Sequence, residues 1–431
     1  MTTTLPADAA SDAASVAAPD GTAPTCRLCG AGLVTTFVDL GMSPPCESYV
    51  PAEQLDRCES FYPLHVRVCD RCLLVQLPAH LGAEEIFRHY AYFSSYSDSW
   101  VEHARRYVAG AAARLGLGED SFVVEVASND GYLLRHVRDL GIRCAGIEPA
   151  ENVAEVARAH GVDTTSVFLG EATGREFAAQ RGRADLVVAN NVFAHVPDIV
   201  DFARGLRALV ADDGMVTIEI PHLLRLIRDR LYDTIYHEHF SYLSLLTTQR
   251  VLERAGLVVV DVEELSTHGG SLRTWSMPRE SATAPSVRVA KVLEDEWCAG
   301  LHTVAGHAGF AAEVSAARDD LLEFLIACRR DGATVAGYGA PGKGNTLLNH
   351  AGVRGDLLSY TVDRSAFKQG LFLPGTHIPI HPPERLAETR PDYILVLPWN
   401  LRDEIAAQLA YVREWGARLV FPLPRLEIVA P

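Results

Sequence analysis

From Ser121 onward the chain alternates short apolar runs with stretches of helical periodicity, and this constrains its fold more than any other feature. Residues 122–126 read as a strand, 133–140 as a helix, 144–147 as a strand and 153–160 as a second helix. Residues 185–189 and 215–220 continue the series as short apolar strands. Strand–helix–strand order of this kind predicts an α/β fold with a doubly wound parallel sheet. A second α/β series begins near residue 332, with a strand and glycine turn at 334–339 and further strands at 358–362, 393–397 and 419–421.

At 431 residues the chain exceeds a single core, so two or three domains are expected. Residues 285–330, rich in Ala, Leu and Val, read as a helical connector between the two series, and 86–118 also read as helical. Residues 26–72 are rich in Cys, Pro and Gly with little periodicity, which suggests that metal holds them more than core does. Residues 1–25 have neither a basic start nor an apolar segment and read as a disordered tail, not a secretory signal. A formal charge of −16 opposes a nucleic-acid partner, which requires a basic face. No apolar run approaches the roughly 20 residues of a membrane span. Nine cysteines, an odd number and mostly scattered, fit a reducing cytoplasm.

Cys26-Arg27-Leu28-Cys29 and Cys69-Asp70-Arg71-Cys72 are two Cys-x-x-Cys knuckles separated by 39 residues. Together they can present four thiolates to one tetrahedral Zn²⁺, a closed and therefore structural site. Two independent redox pairs are the competing reading, but neither knuckle lies in a thioredoxin-like context. Cys46 and Cys58 lack paired neighbours and read as incidental.

Glu125-Val126-Ala127-Ser128-Asn129-Asp130-Gly131 lies where the first strand of the main series turns into a helix. An acidic strand end followed by a small-residue turn is how class I methyltransferases meet S-adenosylmethionine, since small residues let the backbone approach the ligand. Glu148, 23 residues beyond Glu125, ends the next strand, where a carboxylate can hold a ribose diol. The usual glycines are replaced at Ala127 and Asn129, and an ordinary strand–turn–helix competes with the cofactor reading. Asn190, Asn191 and His195 lie beyond the end of a central strand, the edge at which such sheets bind ligands.

Residues 232–242 hold three tyrosines, two histidines and two carboxylates in eleven positions. Burying such a set without partners costs a few kcal/mol per group, so it reads as an active-site loop in preference to a polar interdomain loop. A histidine near neutral pKa can remove a proton, a carboxylate can fix its tautomer, and a tyrosine can donate to an enolate. In the last segment, Gly337-Tyr338-Gly339…Gly342-Lys343-Gly344-Asn345 follows a strand, and its amides with Lys343 would cradle phosphate at a helix start. A second NAD-type site is the alternative there.

Taken together, residues 26–425 resemble the bacterial NDP-sugar C-methyltransferases of deoxysugar pathways, some of which serve antibiotic biosynthesis. The resemblance rests on the ordered set just described, with Tyr90-Ala91-Tyr92-Phe93-Ser94-Ser95, Tyr236-His237-Glu238-His239, His268-Gly269-Gly270-Ser271-Leu272-Arg273 and Lys368-Gln369-Gly370. It implies a zinc-binding domain at 26–85, a class I S-adenosylmethionine domain at 86–284 and a C-terminal Rossmann-like domain at 331–431 for the nucleotide sugar. It also implies methylation of a carbon next to the 4-keto group of a dTDP-linked 6-deoxysugar, C-3 being the expected carbon. On that basis His239 is the base, with Tyr90, His195, Tyr236 and Glu238 around the sugar, and Tyr92, His237, Arg273, Lys343, Asn345 and Lys368 binding substrate. Glu125, Ala127, Ser128, Asn129, Gly131, Glu148, Asn190 and Asn191 would bind S-adenosylmethionine, and the chain is expected to act as a monomer. Methylation at C-5, a nicotinamide-dependent sugar oxidoreductase or epimerase, and a non-enzymatic zinc-knuckle module are the alternatives.

Overall fold

The computed structural model describes residues 24–87 and 93–430. Most of the expected tail, and both Tyr90 and Tyr92, lie outside the described residues. Three sheets organise the chain. The central one has seven strands in the order Leu257–Leu265, Ser271–Pro278, Val210–Pro221, Ala184–Asn190, Phe122–Val126, Arg143–Ile147 and Thr164–Thr165. Its last five strands are mutually parallel, whereas Ser271–Pro278 runs antiparallel between its two neighbours. The sheet is therefore mixed where the sequence pattern predicted a parallel one. Five residues join Leu257–Leu265 to Ser271–Pro278, too few for a parallel crossover but ample for a hairpin.

The central strands are apolar on both sides because both faces are covered. Val123, Leu186 and Val188 pack beneath Ala104, Tyr107, Val108 and Ala111 of the helix Asp98–Leu115. Phe122, Val124, Val187 and Ala189 face Phe202, Leu206 and Leu252 on the other side. The helix Asp98–Leu115 starts at Ser97, whose side chain accepts from the Trp100 amide, and ends at the left-handed Gly116.

The N-terminal region forms an antiparallel sheet of Thr35–Ser43, Tyr62–Val68, Val75–Gln76 and Ser241–Tyr242. Its fourth strand is thus lent by the loop at 232–242. The expectation that metal substitutes for core in this region needs correction. Phe37, Val38, Leu64, Val66 and Val68 share one apolar core with Phe310, Val314 and Leu321 of the connector and with the C-terminal sheet. The strand alternation that builds this core is interrupted at Thr35–Ser43 by two register shifts, which hides it from a periodicity reading.

The C-terminal sheet runs Ile380–His381, Thr361–Val362, Val335–Tyr338, Tyr393–Val396, Arg418–Phe421 and Glu427–Val429, parallel except for its last strand. The strand expected over 358–362 shortens to Thr361–Val362. The connector is realised as the helices Val287–Cys298 and Phe310–Asp331. Its Glu296 accepts from the amides of Leu245 and Leu246 and pairs with His222 at 2.8 Å, fixing the connector to the central domain. No helix among the described residues is long and apolar enough to cross a membrane.

Candidate active site

The four knuckle cysteines converge, all four sulfurs lying within 4.8 Å of one another. Sγ of Cys26 is 3.4 Å from that of Cys72, and Cys29 is 3.5 Å from Cys69. Tetrahedral Zn–S bonds of about 2.3 Å place sulfurs about 3.8 Å apart, so the cluster fits zinc with little adjustment. The shared hydrogen bond lowers the Cys26 thiol and raises that of Cys72, and a bound metal would require all four as thiolates. The buried Gln76 amide donates to Cys26 Sγ at 3.1 Å, and Arg250 donates to the Cys72 carbonyl at 2.7 Å. The second contact seats the cluster on the helix Leu245–Arg254 of the central domain.

At the carboxyl end of Phe122–Val126 the chain turns through three left-handed residues, Ala127 (φ 55°), Asn129 (φ 51°) and Gly131 (φ 78°). Ala127 and Asn129 thus hold the conformation that glycines usually supply, at some cost in strain. Gly131 admits no side chain, since a Cβ there would lie 2.8 Å from Val162 Cγ2. Glu148 accepts from the amides of Asn129 and Ala150 at 2.9 Å each. Ser94 and Ser95 donate their amides to Asn129 Oδ1 and Asp130 Oδ2, so the Phe93-Ser94-Ser95 segment lies over this turn.

Buried acceptors accumulate around the turn without partners among the described residues: Glu125 Oε2, Asp130 Oδ1, Asn190 Oδ1 and Asn191 Oδ1, with the Asn191 Nδ2 donor also unmet. Each would cost about 1–3 kcal/mol if nothing met it. Burial, then the charges of Asp130 and Glu148, push the Glu125 carboxyl well above its usual range, and burial raises Glu148 to about 6. A ligand carrying a sulfonium, an ammonium and a ribose diol answers this excess of acceptors, so the residues fit S-adenosylmethionine. Ser128 Oγ is likewise buried without a partner among the described residues. The residue is fully buried, its hydroxyl lying against Gly146 of the neighbouring strand.

The loop 232–242 gathers around His239. The His239 Nδ1–H donates to the Thr234 carbonyl at 2.7 Å, because a carbonyl can only accept. Nε2 therefore carries the lone pair. Tyr236 lies tilted against the ring with centroids 4.0 Å apart, and His195 meets it edge-on at 4.5 Å. Burial first, then the neighbouring charge of His195, hold His239 well below the ordinary histidine pKa, so it is a neutral base at pH 7. His195 is likewise lowered, to about 4, by burial; its ring has the Glu238 carbonyl as partner, and its Nδ1 has none among the described residues.

Glu238 turns away from His239 toward the other two domains. Cys46 Sγ lies 3.7 Å from its Oε1, and burial, reinforced by Glu47, raises its carboxyl to about 8. Cys46, incidental in the sequence, is therefore part of this junction. His237 also departs from expectation: its Nε2 lies 3.3 Å from the Tyr62 carbonyl in the N-terminal sheet, on the side away from His239. Arg273 does not reach the site, because Glu219 at 2.7 Å and Glu263 take its guanidinium and the Tyr107 ring lies beneath it.

The glycine-rich turn of the C-terminal domain is covered where phosphate was expected. A Cβ on Gly342 would lie 2.9 Å from Cys46 Sγ and 3.0 Å from Glu47 Oε1. Asn345 spends its amide on the Cys46 carbonyl at 2.6 Å. Lys368 donates to the Ala340 carbonyl at 2.9 Å and faces Glu47 at 3.6 Å. Lys343 takes another direction, hydrogen-bonded to Asn400 Oδ1 at 2.9 Å with its Nζ 5.2 Å over the Trp399 ring. Trp399 Nε1 donates to Asp233 at 2.6 Å, which ties this corner to the histidine loop. Trp399, Asn400 and Trp100, which lies 5.1 Å from the His268 ring, belong to the site and carry no sequence signal beyond being aromatic or polar. His268 itself, left-handed at φ 54°, was marked by the two glycines that follow it.

A central sheet with one antiparallel strand, acidic strand ends around a left-handed turn, and a closed four-cysteine cluster define a zinc-containing class I S-adenosylmethionine-dependent methyltransferase. Family models agree: "Putative zinc binding domain" over residues 26–87, "Methyltransferase domain" over 100–262, and "C-methyltransferase C-terminal domain" over 266–424. The C-methyltransferase NovU of Streptomyces niveus is 36% identical over 405 residues, covering 94% of this chain and 96% of that protein. The chain belongs to this C-methyltransferase family. A ubiquinone biosynthesis O-methyltransferase from Methylobacterium sp. (strain 4-46) is 29% identical over 171 residues, 37% of this chain and 68% of that protein. Among solved structures, the CcbJ methyltransferase from Streptomyces caelestis superposes with a TM-score of 0.33 at 14% identity, over 41% of this chain and 89% of its own, too weak to bear any inference.

Proposed function

We propose that this C-methyltransferase removes a proton from the carbon beside the 4-keto group of a dTDP-linked 6-deoxysugar and methylates that carbon, C-3, in cytoplasmic deoxysugar biosynthesis. One observation carries the reading: His239 is buried and neutral, and its Nδ1–H is fixed on Thr234, so Nε2 is an oriented, unprotonated base. A C–H bond next to a ketone is the kind of acid such a base serves, provided the enolate is stabilised. Tyr236, tilted against the base, restricts its ring and would border the carbon that reacts.

S-adenosylmethionine, when bound, supplies an electrophilic methyl group. Glu125, Asn190 and Asn191 would orient it, and Glu148 would take its ribose. Holding donor and sugar in line accounts for much of the acceleration. Residues 86–284 would thus carry the donor and 331–431 the nucleotide sugar, within a monomer. The test is transfer of a labelled methyl group to dTDP-4-keto-6-deoxyglucose, with NMR locating the label. Absence of labelled product with several 4-keto sugars sinks the reading, and label at C-5 replaces only its regiochemistry.

A further inference from the structure

An enolate needs a cation or a donor at its oxygen, and His195 is unsuited to the task. Its one neutral-state proton faces the Glu238 carbonyl, and its Nδ1 offers only a lone pair. Among the described residues, Lys343 offers such a cation beside the loop. It is half-buried, and among the described residues it makes no ion pair within 4.0 Å. Desolvation holds its pKa below the ordinary lysine value, with Asp233 opposing, and its charge in turn depresses both His239 and His268. The Trp399 ring beneath its Nζ donates to Asp233 of the histidine loop and lies against Gly269, next to His268, so the ammonium sits on the histidine side. The helix start from which it departs is closed by Cys46 and Glu47, and a carboxylate there repels phosphate.

We infer that Lys343, carried by the C-terminal domain and aimed by Asn400 and the Trp399 face, is the cationic partner of the developing enolate oxygen and not a clamp on the diphosphate. The inference rests on the substrate reading above. As the C–H bond breaks, its proton passes to His239 Nε2, its electron pair forms the carbon–carbon double bond, and the carbonyl oxygen takes the charge opposite Lys343. The enolate carbon then bonds to the methyl group as the methyl–sulfur bond breaks, the sulfur keeps that electron pair, and the ketone returns.

The experiment pairs two readouts on Lys343→Met: hydrogen–deuterium exchange at the α carbon of dTDP-4-keto-6-deoxyglucose without methyl donor, and calorimetric binding of dTDP. Exchange and kcat are expected to fall about 10²–10³-fold, as on losing one oxyanion donor, while the dTDP Kd stays within threefold. A dTDP Kd weakened tenfold or more, with exchange at saturating sugar retained, overturns the inference and makes Lys343 a phosphate ligand. Should methionine prevent folding, Lys343→Gln replaces it in both measurements, and the same two outcomes decide. A wild-type enzyme that neither exchanges nor methylates this sugar overturns the substrate reading instead.

Discussion

Two clusters of ionisable side chains lie on either side of Arg27. One is the four-cysteine knot; the other is the histidine–tyrosine loop, whose Phe240 ring lies 5.4 Å from the Arg27 guanidinium. In the first, every sulfur meets another sulfur, and Gln76 supplies a further donor. In the second, buried polar atoms of His195, Asp233 and Tyr242 have no partner among the described residues. Both are dense and buried, and only the second leaves valences open. Closure marks a cluster that holds the fold, and open valence marks one that has work to do on a ligand.

The contrast breaks hardest at the cysteines. Cys69→Ser should remove the zinc, about one ion per chain by elemental analysis, and lower Tm by more than about 10 °C, since structural zinc contributes on the order of 10 kcal/mol. Retention of both metal and Tm would remove the structural role. At the loop the opposite is expected: His239→Asn should cut kcat and α-carbon exchange by about 10³-fold with Tm nearly unchanged. Exchange that survives would transfer the base to another residue.

Acid separates the clusters differently. His195, His237 and His268 have folded pKa values lowered to about 4 by burial, below the unfolded value. Between pH 6.5 and 4 these three rings take up more protons in the unfolded chain and so remove stability as the pH falls, while Glu238 and Glu148, raised to about 8 and about 6, oppose them. Urea melts of the wild type and of His268→Gln across that window isolate one ring: the wild type should lose stability relative to the variant as the pH falls, and parallel profiles would mean that the ring is hydrated. Gly131→Ala, which adds a Cβ at positive φ against Val162, should cost about 1–3 kcal/mol and weaken S-adenosylmethionine binding, both measurable by thermal shift. The smallest effect is expected close to the base itself. His237→Gln should lower kcat less than about tenfold, because that ring faces Tyr62 and not His239.

Local patterns carried much of this into the sequence. The knuckles, the acidic strand ends and the crowded loop are contiguous, so their residue types and spacing are legible before folding. Arg273 and Ser128 show where that stops. Both lie in or beside motif residues, yet tertiary packing turns one onto Glu219 and the other under Gly146. His237 and His239 are two residues apart and face opposite domains, which no local pattern can tell. Cys46 was illegible for the same reason, since its neighbours Glu238 and Asn345 are 192 and 299 residues away. The mixed sheet was readable in principle, from the five-residue link before Ser271.

The covering of Gly342 by Cys46 and Glu47 reaches beyond the single site. It makes the N-terminal segment a wall of the C-terminal domain, so the enzyme is not a string of exchangeable modules. A chimera that imports a relative's residues 331–431 to change sugar preference inherits a mismatched wall unless residues 44–49 travel with them. Specificity in this architecture is written across domains, and recombination must cut accordingly.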